Sequence, residues 1–172
     1  MSKTLITILT FCLFINYCEE IVPATYTNYT CEDPMASRGD TYIFSELVTL
    51  KIRQEVSEAF AQWSKASGML ITESAIQPRI LIRYEALSTE IDGYQPMGAV
   101  IEMGQYTLLV INSEAQMSNR ELKTTALHEV GHIFGVAHNI NEGSIMRPLI
   151  GSVTELSEYD LGAAKYCTKK VK

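Results

Sequence analysis

Histidine is scarce in this chain, with three among 172 residues. Positive charge is also short. Fourteen Lys plus Arg against 20 Asp plus Glu leave a formal net charge of −6 at pH 7, and an acidic balance argues against nucleic acid as a partner. There is no internal repeat and no low-complexity tract, which excludes solenoids, arrays and adhesive repeats. No apolar run reaches the roughly 20 residues that cross a bilayer. Aromatic anchors are few, and the single tryptophan, Trp63, reads as core rather than as part of a cofactor site.

The three histidines are not scattered. They fall in His128-Glu129-Val130-Gly131-His132-Ile133-Phe134-Gly135-Val136-Ala137-His138, which has the form H-E-x-x-H-x-x-G-x-x-H. On a helix, His128 and His132 lie one turn apart on the same face. Two neutral imidazoles so placed can bind one Zn²⁺ at about 2.0–2.1 Å. Gly135 can take the left-handed conformation that ends a helix, turning the chain back to bring His138 to the same ion. Three protein ligands with a fourth position for water make a catalytic site, since structural zinc is closed by four protein ligands. Glu129, next to the first ligand, can hold and deprotonate that water. The five fixed positions would arise by chance in such a chain with probability on the order of one in 10⁵. Solvated surface histidines are therefore the weaker reading.

The chain opens with Lys3 and then a mostly apolar stretch from Leu5 to Ile15, the pattern of a secretory signal. Residues 1–18 are read as that signal, with an uncleaved anchor as the alternative. Cys18 sits where a lipid-modified cysteine would stand, although Ile15-Asn16-Tyr17 is a poor lipobox. With Cys12 inside the leader, Cys31 and Cys167 remain, one near each end of the rest of the chain. In an exported protein they suggest a disulfide joining the termini. The other reading is that Cys31 blocks the metal as a latency thiolate. The protein is expected to be secreted or to sit on the cell surface as a lipoprotein. It would meet a membrane only through Cys18 or an uncleaved leader.

Residues 19–40 are polar and turn-rich, and read as an N-terminal extension or a short propeptide. They contain the glycosylation sequon Asn28-Tyr29-Thr30 and the tripeptide Arg38-Gly39-Asp40, which short chance matches also produce. About 150 residues follow the leader, enough for one domain with a sizeable core. Val48, Ile52, Val56, Ala59, Phe60 and Trp63 recur at helical spacing, predicting a helix from about Leu47 to Ala66 ended by Gly68. Alternation predicts strands over 79–84, 97–103 and 106–112. Ser118 and Glu121 form a capping box opening the helix that carries His128. Gly143 allows a turn into Ser144, and Ser157 with Asp160 opens a last helix to about Cys167.

The extended motif resembles the metzincin clan of zinc endopeptidases, and most closely a minimal matrixin-like catalytic domain. Ser144-Ile145-Met146 looks like the clan's Met-turn, with Met146 packing beneath the imidazoles. Residues 52–64 look like the first matrixin helix, 79–84 like the strand that follows, and 156–160 like the start of its last helix. The resemblance covers roughly residues 42 to 167 and makes 41–172 the catalytic domain. It implies an α/β fold with a mixed twisted sheet, an active-site helix, a Met-turn and a C-terminal helix. It also implies hydrolysis of peptide bonds in extracellular proteins or peptides by a monomer holding one catalytic Zn²⁺.

By the same resemblance, Gly98, Ala99 and Val100 lie on the edge strand beside the cleft. Arg147 to Thr154 wall a specificity pocket, and Thr124 lines it. Calcium accompanies matrixin relatives, but no acidic cluster marks a site here. The chain departs from the family's pattern in several places. Asn139 follows the third histidine, Arg147-Pro148 follows Met146, no Pro-Arg-Cys-Gly switch precedes the domain, and no histidine is left for a second zinc. The alternative function is a catalytically silent zinc-binding interaction protein on the same scaffold.

Overall fold

The computed structural model describes residues 29–87, 95–148 and 153–169. The leader, Cys18, residues 19–28 with Asn28 of the sequon, and residues 149–152 lie outside the described residues. Among the described residues, no helix is long and apolar enough to cross a membrane.

The central strands are the most apolar stretches outside the helices. β3 (Ile80–Glu85) and β5 (Tyr106–Asn112) pair in parallel, with Ile80 opposite Thr107 and Glu85 opposite Asn112. In β5 every residue from Thr107 to Asn112 is buried, as expected for a strand covered on both faces. β4 (Gly98–Met103) runs antiparallel to β5 and forms one edge of the sheet. On the other side β1 (Thr41–Phe44) pairs with β3, and β2 (Thr72–Glu73) forms the far edge. The order is β2-β1-β3-β5-β4, a mixed sheet in an α/β fold.

Sequence periodicity finds three of these five strands. β1 and β2 are four and two residues long, too short for alternation to register, and they exist through their pairing with longer neighbours. The first helix, α1 (Leu50–Ser67), starts later than its apolar spacing suggests. Thr49 accepts the amide hydrogen of Ile52 and caps the helix, so Val48 packs into the core from the loop before it. Gly68, at φ +73°, ends the helix in the left-handed region as expected.

α1 lies across α2 (Asn119–Ile133) and α3 (Glu158–Lys169). Trp63, fully buried on α1, donates its indole N–H to the carbonyl of Leu127 at 2.8 Å. The largest side chain of the core thus fixes the helix that carries the histidines.

Residues 30–37 are a strap built into this domain. Cys31 forms an antiparallel bridge with Val136, the amide of Glu32 donates to Gly135, and the amide of Ala137 donates to Thr30. The hydroxyl of Thr107 donates to the carbonyl of Met35. The tripeptide Arg38-Gly39-Asp40 forms an exposed turn in which the Asp40 carboxylate accepts the Ser37 amide at 2.7 Å, so that carboxylate serves the turn itself.

Candidate metal centre

α2 opens on the capping box read from sequence. Ser118 accepts from the amide of Glu121, and Glu121 accepts from the amide of Ser118. Leu122, Ala126, Leu127, Val130 and Ile133 bury the inner face. That register leaves His128 and His132 on one side of the last two turns. The helix ends at Phe134, and Gly135 at φ +79° reverses the chain toward His138. A side chain at Gly135 would also strike the strap, since its Cβ would lie 3.0 Å from the carbonyl oxygen of Glu32.

The three imidazoles converge through their Nε2 atoms. His128 and His138 are 3.0 Å apart, and His132 is 3.2 Å from each. A tetrahedral ion with nitrogen ligands at about 2.0–2.1 Å spaces them about 3.3 Å apart, so the donor set fits zinc. His128 donates its Nδ1–H to the carbonyl of Ile145 at 2.9 Å. That bond leaves the Nε2 lone pair facing the other two rings. Burial pushes the pKa of His128 and His132 down to about 4, with the neighbouring imidazoles adding to the effect. Both are neutral at pH 7 and able to ligate. Among the described residues, these three form the only cluster of metal-binding side chains.

Glu129 is buried, and desolvation pushes its pKa up to about 8. A divalent cation nearby opposes that shift by favouring the charged carboxylate. Gly98, on the edge strand, packs directly against it. A Cβ at Gly98 would fall 2.8 Å from Glu129 Cγ and 2.8 Å from Thr125 Cγ2. Ala99 and Val100 continue the same edge. Thr124 is buried, and its hydroxyl donates to the carbonyl of Val153 at 2.8 Å, tying α2 to the segment that follows Met146.

Beneath the histidines the chain folds back through Ser144, Ile145 and Met146. Asn139 pins this turn from two sides: its amide N–H donates to Met146 O and its side chain donates to Ser144 Oγ. Ser144 Oγ also accepts the amide of Met146 and donates to Asp160. Met146 is fully buried. A Cβ at Gly131 would collide with its sulfur and lie 2.8 Å from Trp63 Cζ2, so the gap left by Gly131 is filled by these two side chains.

Cys31 and Cys167 are joined, with S–S 2.08 Å and Cα–Cα 5.5 Å, so the Cys31 sulfur is not a free thiolate at the metal centre. Four contributors escape sequence reasoning. Asp160 reads as a helix cap, Glu32 as polar strap, Gly131 as a variable motif position and Asn139 as a departure from pattern. The only available signal was the close following of the histidines by Asn139 and Ser144.

The comparisons agree with this geometry. Residues 105–166 match the family model of the matrixins, peptidase family M10. That span holds β5, α2, all three histidines, Met146 and the start of α3. The chain is also 26% identical over 142 residues to metalloendoproteinase 5-MMP of Arabidopsis thaliana. That alignment covers 68% of this chain and 39% of the relative, so the chain spans about two fifths of the relative's length. A mixed sheet with β4 antiparallel at its edge, and a histidine helix turned at glycine over a buried methionine, fit the metzincin class to which the matrixin match points. Within that class the chain carries a matrixin-like domain.

Proposed function

We propose that the protein is a zinc-dependent endopeptidase that hydrolyses peptide bonds of extracellular proteins or peptides. The convergence of three imidazole nitrogens within 3.0–3.2 Å, beside a buried glutamate, carries this reading. His128, His132 and His138 hold one zinc ion. Bound there, zinc polarises the scissile carbonyl and lowers the pKa of water toward neutrality. Glu129 takes the proton of the attacking water and returns it to the leaving amine, acting first as base and then as acid.

An extended peptide adds to the edge of β4 through main-chain hydrogen bonds, which positions the scissile bond with little demand on side chains. Gly98 lets that edge approach Glu129 closely, and Ala99 and Val100 carry it along the cleft. The chain following Met146, where Val153 is tied to α2 through Thr124, walls the side-chain pocket. The Cys31–Cys167 disulfide supports an oxidising, extracellular setting. The protein acts as a monomer on peptide rather than nucleic acid.

The test pairs the protein with Glu129→Ala, measuring bound zinc and cleavage of a mixed peptide library. One zinc per chain in both, with cleavage confined to the unmodified protein and abolished by chelator, is the expected result. Zinc binding without cleavage would favour the silent interaction protein. No bound zinc would remove the proposal's foundation.

A further inference from the structure

An imidazole that ligates a metal is oriented by what its other nitrogen donates to. His128 has such an acceptor in the carbonyl of Ile145. His132 does not. With Nε2 turned to the other rings, its Nδ1 carries the hydrogen, and that Nδ1 is the one buried side-chain nitrogen or oxygen without a hydrogen-bond partner among the described residues. The carbonyl of Val136 faces it, but no hydrogen bond closes there. A carboxylate oxygen of Glu32 stands 3.5 Å away.

The backbone of Glu32 is held in place on every side. Its own amide donates to Gly135 O at 2.9 Å, the preceding Thr30 carbonyl accepts from Ala137 at 3.1 Å, and Cys31 between them is bonded to Cys167 on α3. That separation is about 0.7 Å longer than the roughly 2.8 Å of a charge-assisted hydrogen bond. The Glu32 side chain is 44% exposed, so its remaining lone pairs stay hydrated and the charge carries little desolvation cost.

We infer that Glu32 is a positioning residue for the metal centre, its carboxylate accepting Nδ1–H of His132, fixing that ring and strengthening its Nε2 as a ligand. The inference rests on the zinc reading above. It makes the strap part of the metal centre, although Glu32 lies far from the histidine motif in sequence.

The test uses the full oxidised chain and four variants: Glu32→Ala, Glu32→Gln, Glu32→Asp and, as a neighbouring exposed control, Asp33→Asn. Zinc affinity is read by competition with a chromogenic chelator, zinc release by stopped flow, and ligand geometry from the visible absorption of the Co²⁺-loaded protein. Outer-sphere partners commonly change metal affinity about 10–100-fold, and an exposed carboxylate belongs at the low end. Glu32→Ala should therefore weaken zinc about tenfold, speed its release and shift the cobalt bands. Glu32→Gln, which keeps an acceptor oxygen, should fall between it and the parent. Glu32→Asp, one methylene short of His132, should resemble Glu32→Ala. Asp33→Asn should match the parent, and the metal-free stabilities of all five proteins should agree.

Parent-like zinc release and cobalt spectra in Glu32→Ala would overturn the inference while leaving the zinc reading intact. So would an equal loss of metal-free and metal-bound stability, which would make Glu32 a brace of the strap only. A parent protein that binds no zinc would overturn the functional reading itself.

Discussion

Asp160 accepts the amide hydrogen of Ile145 at 3.1 Å, while the carbonyl of Ile145 accepts Nδ1–H of His128 at 2.9 Å. A single residue of the turn therefore links α3 to a candidate metal ligand. Asp160 is fully buried, and its two oxygens also accept the amide and hydroxyl hydrogens of Ser157 and the hydroxyl hydrogen of Ser144. Four donors satisfy the carboxylate, which is what a buried charge requires.

Removing that carboxylate leaves several donors without an acceptor. Each orphaned group costs about 1–3 kcal/mol when water cannot reach it, so Asp160→Ala should lose about 3–5 kcal/mol of stability. Urea unfolding of the metal-free protein measures this. Zinc should also leave faster, because the acceptor for His128 is no longer fixed. Unlike a change at Glu32, the loss appears with and without metal. A variant within 1 kcal/mol of the parent would show that solvent or a shifted turn replaces Asp160.

Gly98 bears on the chemistry rather than the metal. An added methyl would overlap Glu129 Cγ at 2.8 Å, and either the edge strand or the glutamate must move. Misplacement of a reacting group by about 1 Å can cost about 10²-fold in rate. Gly98→Ala should therefore lose about 10–100-fold in kcat/KM while holding zinc as tightly as the parent. The two readouts are peptide cleavage and chelator competition. Loss of zinc in step with loss of cleavage would mean that the whole site, and not the glutamate alone, had been disturbed.

Which parts were legible in the sequence follows from distance along the chain. The three histidines and Glu129 occupy positions 128–138, so one helix and one glycine turn bring them together. The capping box Ser118–Glu121, the strand 106–112 and the end of α1 at Gly68 are equally local. What sequence could not give is tertiary. β1 and β2 have too few residues for a period. Asp160 already had a local use as the partner of Ser157, which concealed its second use beneath the histidines. Glu32 and Asn139 carry no periodic signal, and their roles depend on where the strap and the turn are folded. Gly131 occupied a position the motif leaves open, and only the packing of Met146 and Trp63 shows why it has no side chain.

Gly131 yields a prediction in which two effects oppose. Alanine in a helix interior gains about 1 kcal/mol over glycine. Against this, overpacking a filled core costs about 1–3 kcal/mol. Met146 and Trp63 are both fully buried, and the Trp63 ring beside the new methyl is rigid. The clash should win, leaving Gly131→Ala about 1–2 kcal/mol less stable. Met146→Ala alone leaves a cavity and costs about 2–5 kcal/mol. The double variant fills part of that cavity with the new methyl, so it should lose clearly less than the sum of the two. Strict additivity in a double-mutant cycle would show that Gly131 and Met146 do not share this space.

The Cys31–Cys167 disulfide closes a loop spanning 136 positions and fastens the strap to α3. Constraining so long a loop in the unfolded chain is worth up to about 5 kcal/mol, and loss of a native disulfide typically costs about 2–5 kcal/mol. The strap has further anchors. Tyr29 packs its ring on Tyr159 and Tyr166, at 5.2 and 5.6 Å between centroids, over Gly162. The bridge to Val136 and the bonds to Gly135 and Ala137 hold residues 30–32 beside it, and Met35 O accepts the Thr107 hydroxyl farther along. These local contacts should keep the strap seated in the folded protein after the disulfide is removed. Cys31→Ser/Cys167→Ser should then unfold at lower denaturant, by about 2–5 kcal/mol, while retaining parent zinc affinity in native buffer. The stability loss should lie mainly in the unfolded state, so the denaturant slope should rise as the unfolded chain becomes more extended. A double-serine variant that loses zinc under native conditions would instead show that the disulfide, and not the hydrogen-bonded strap, holds the backbone beside His138 and His132.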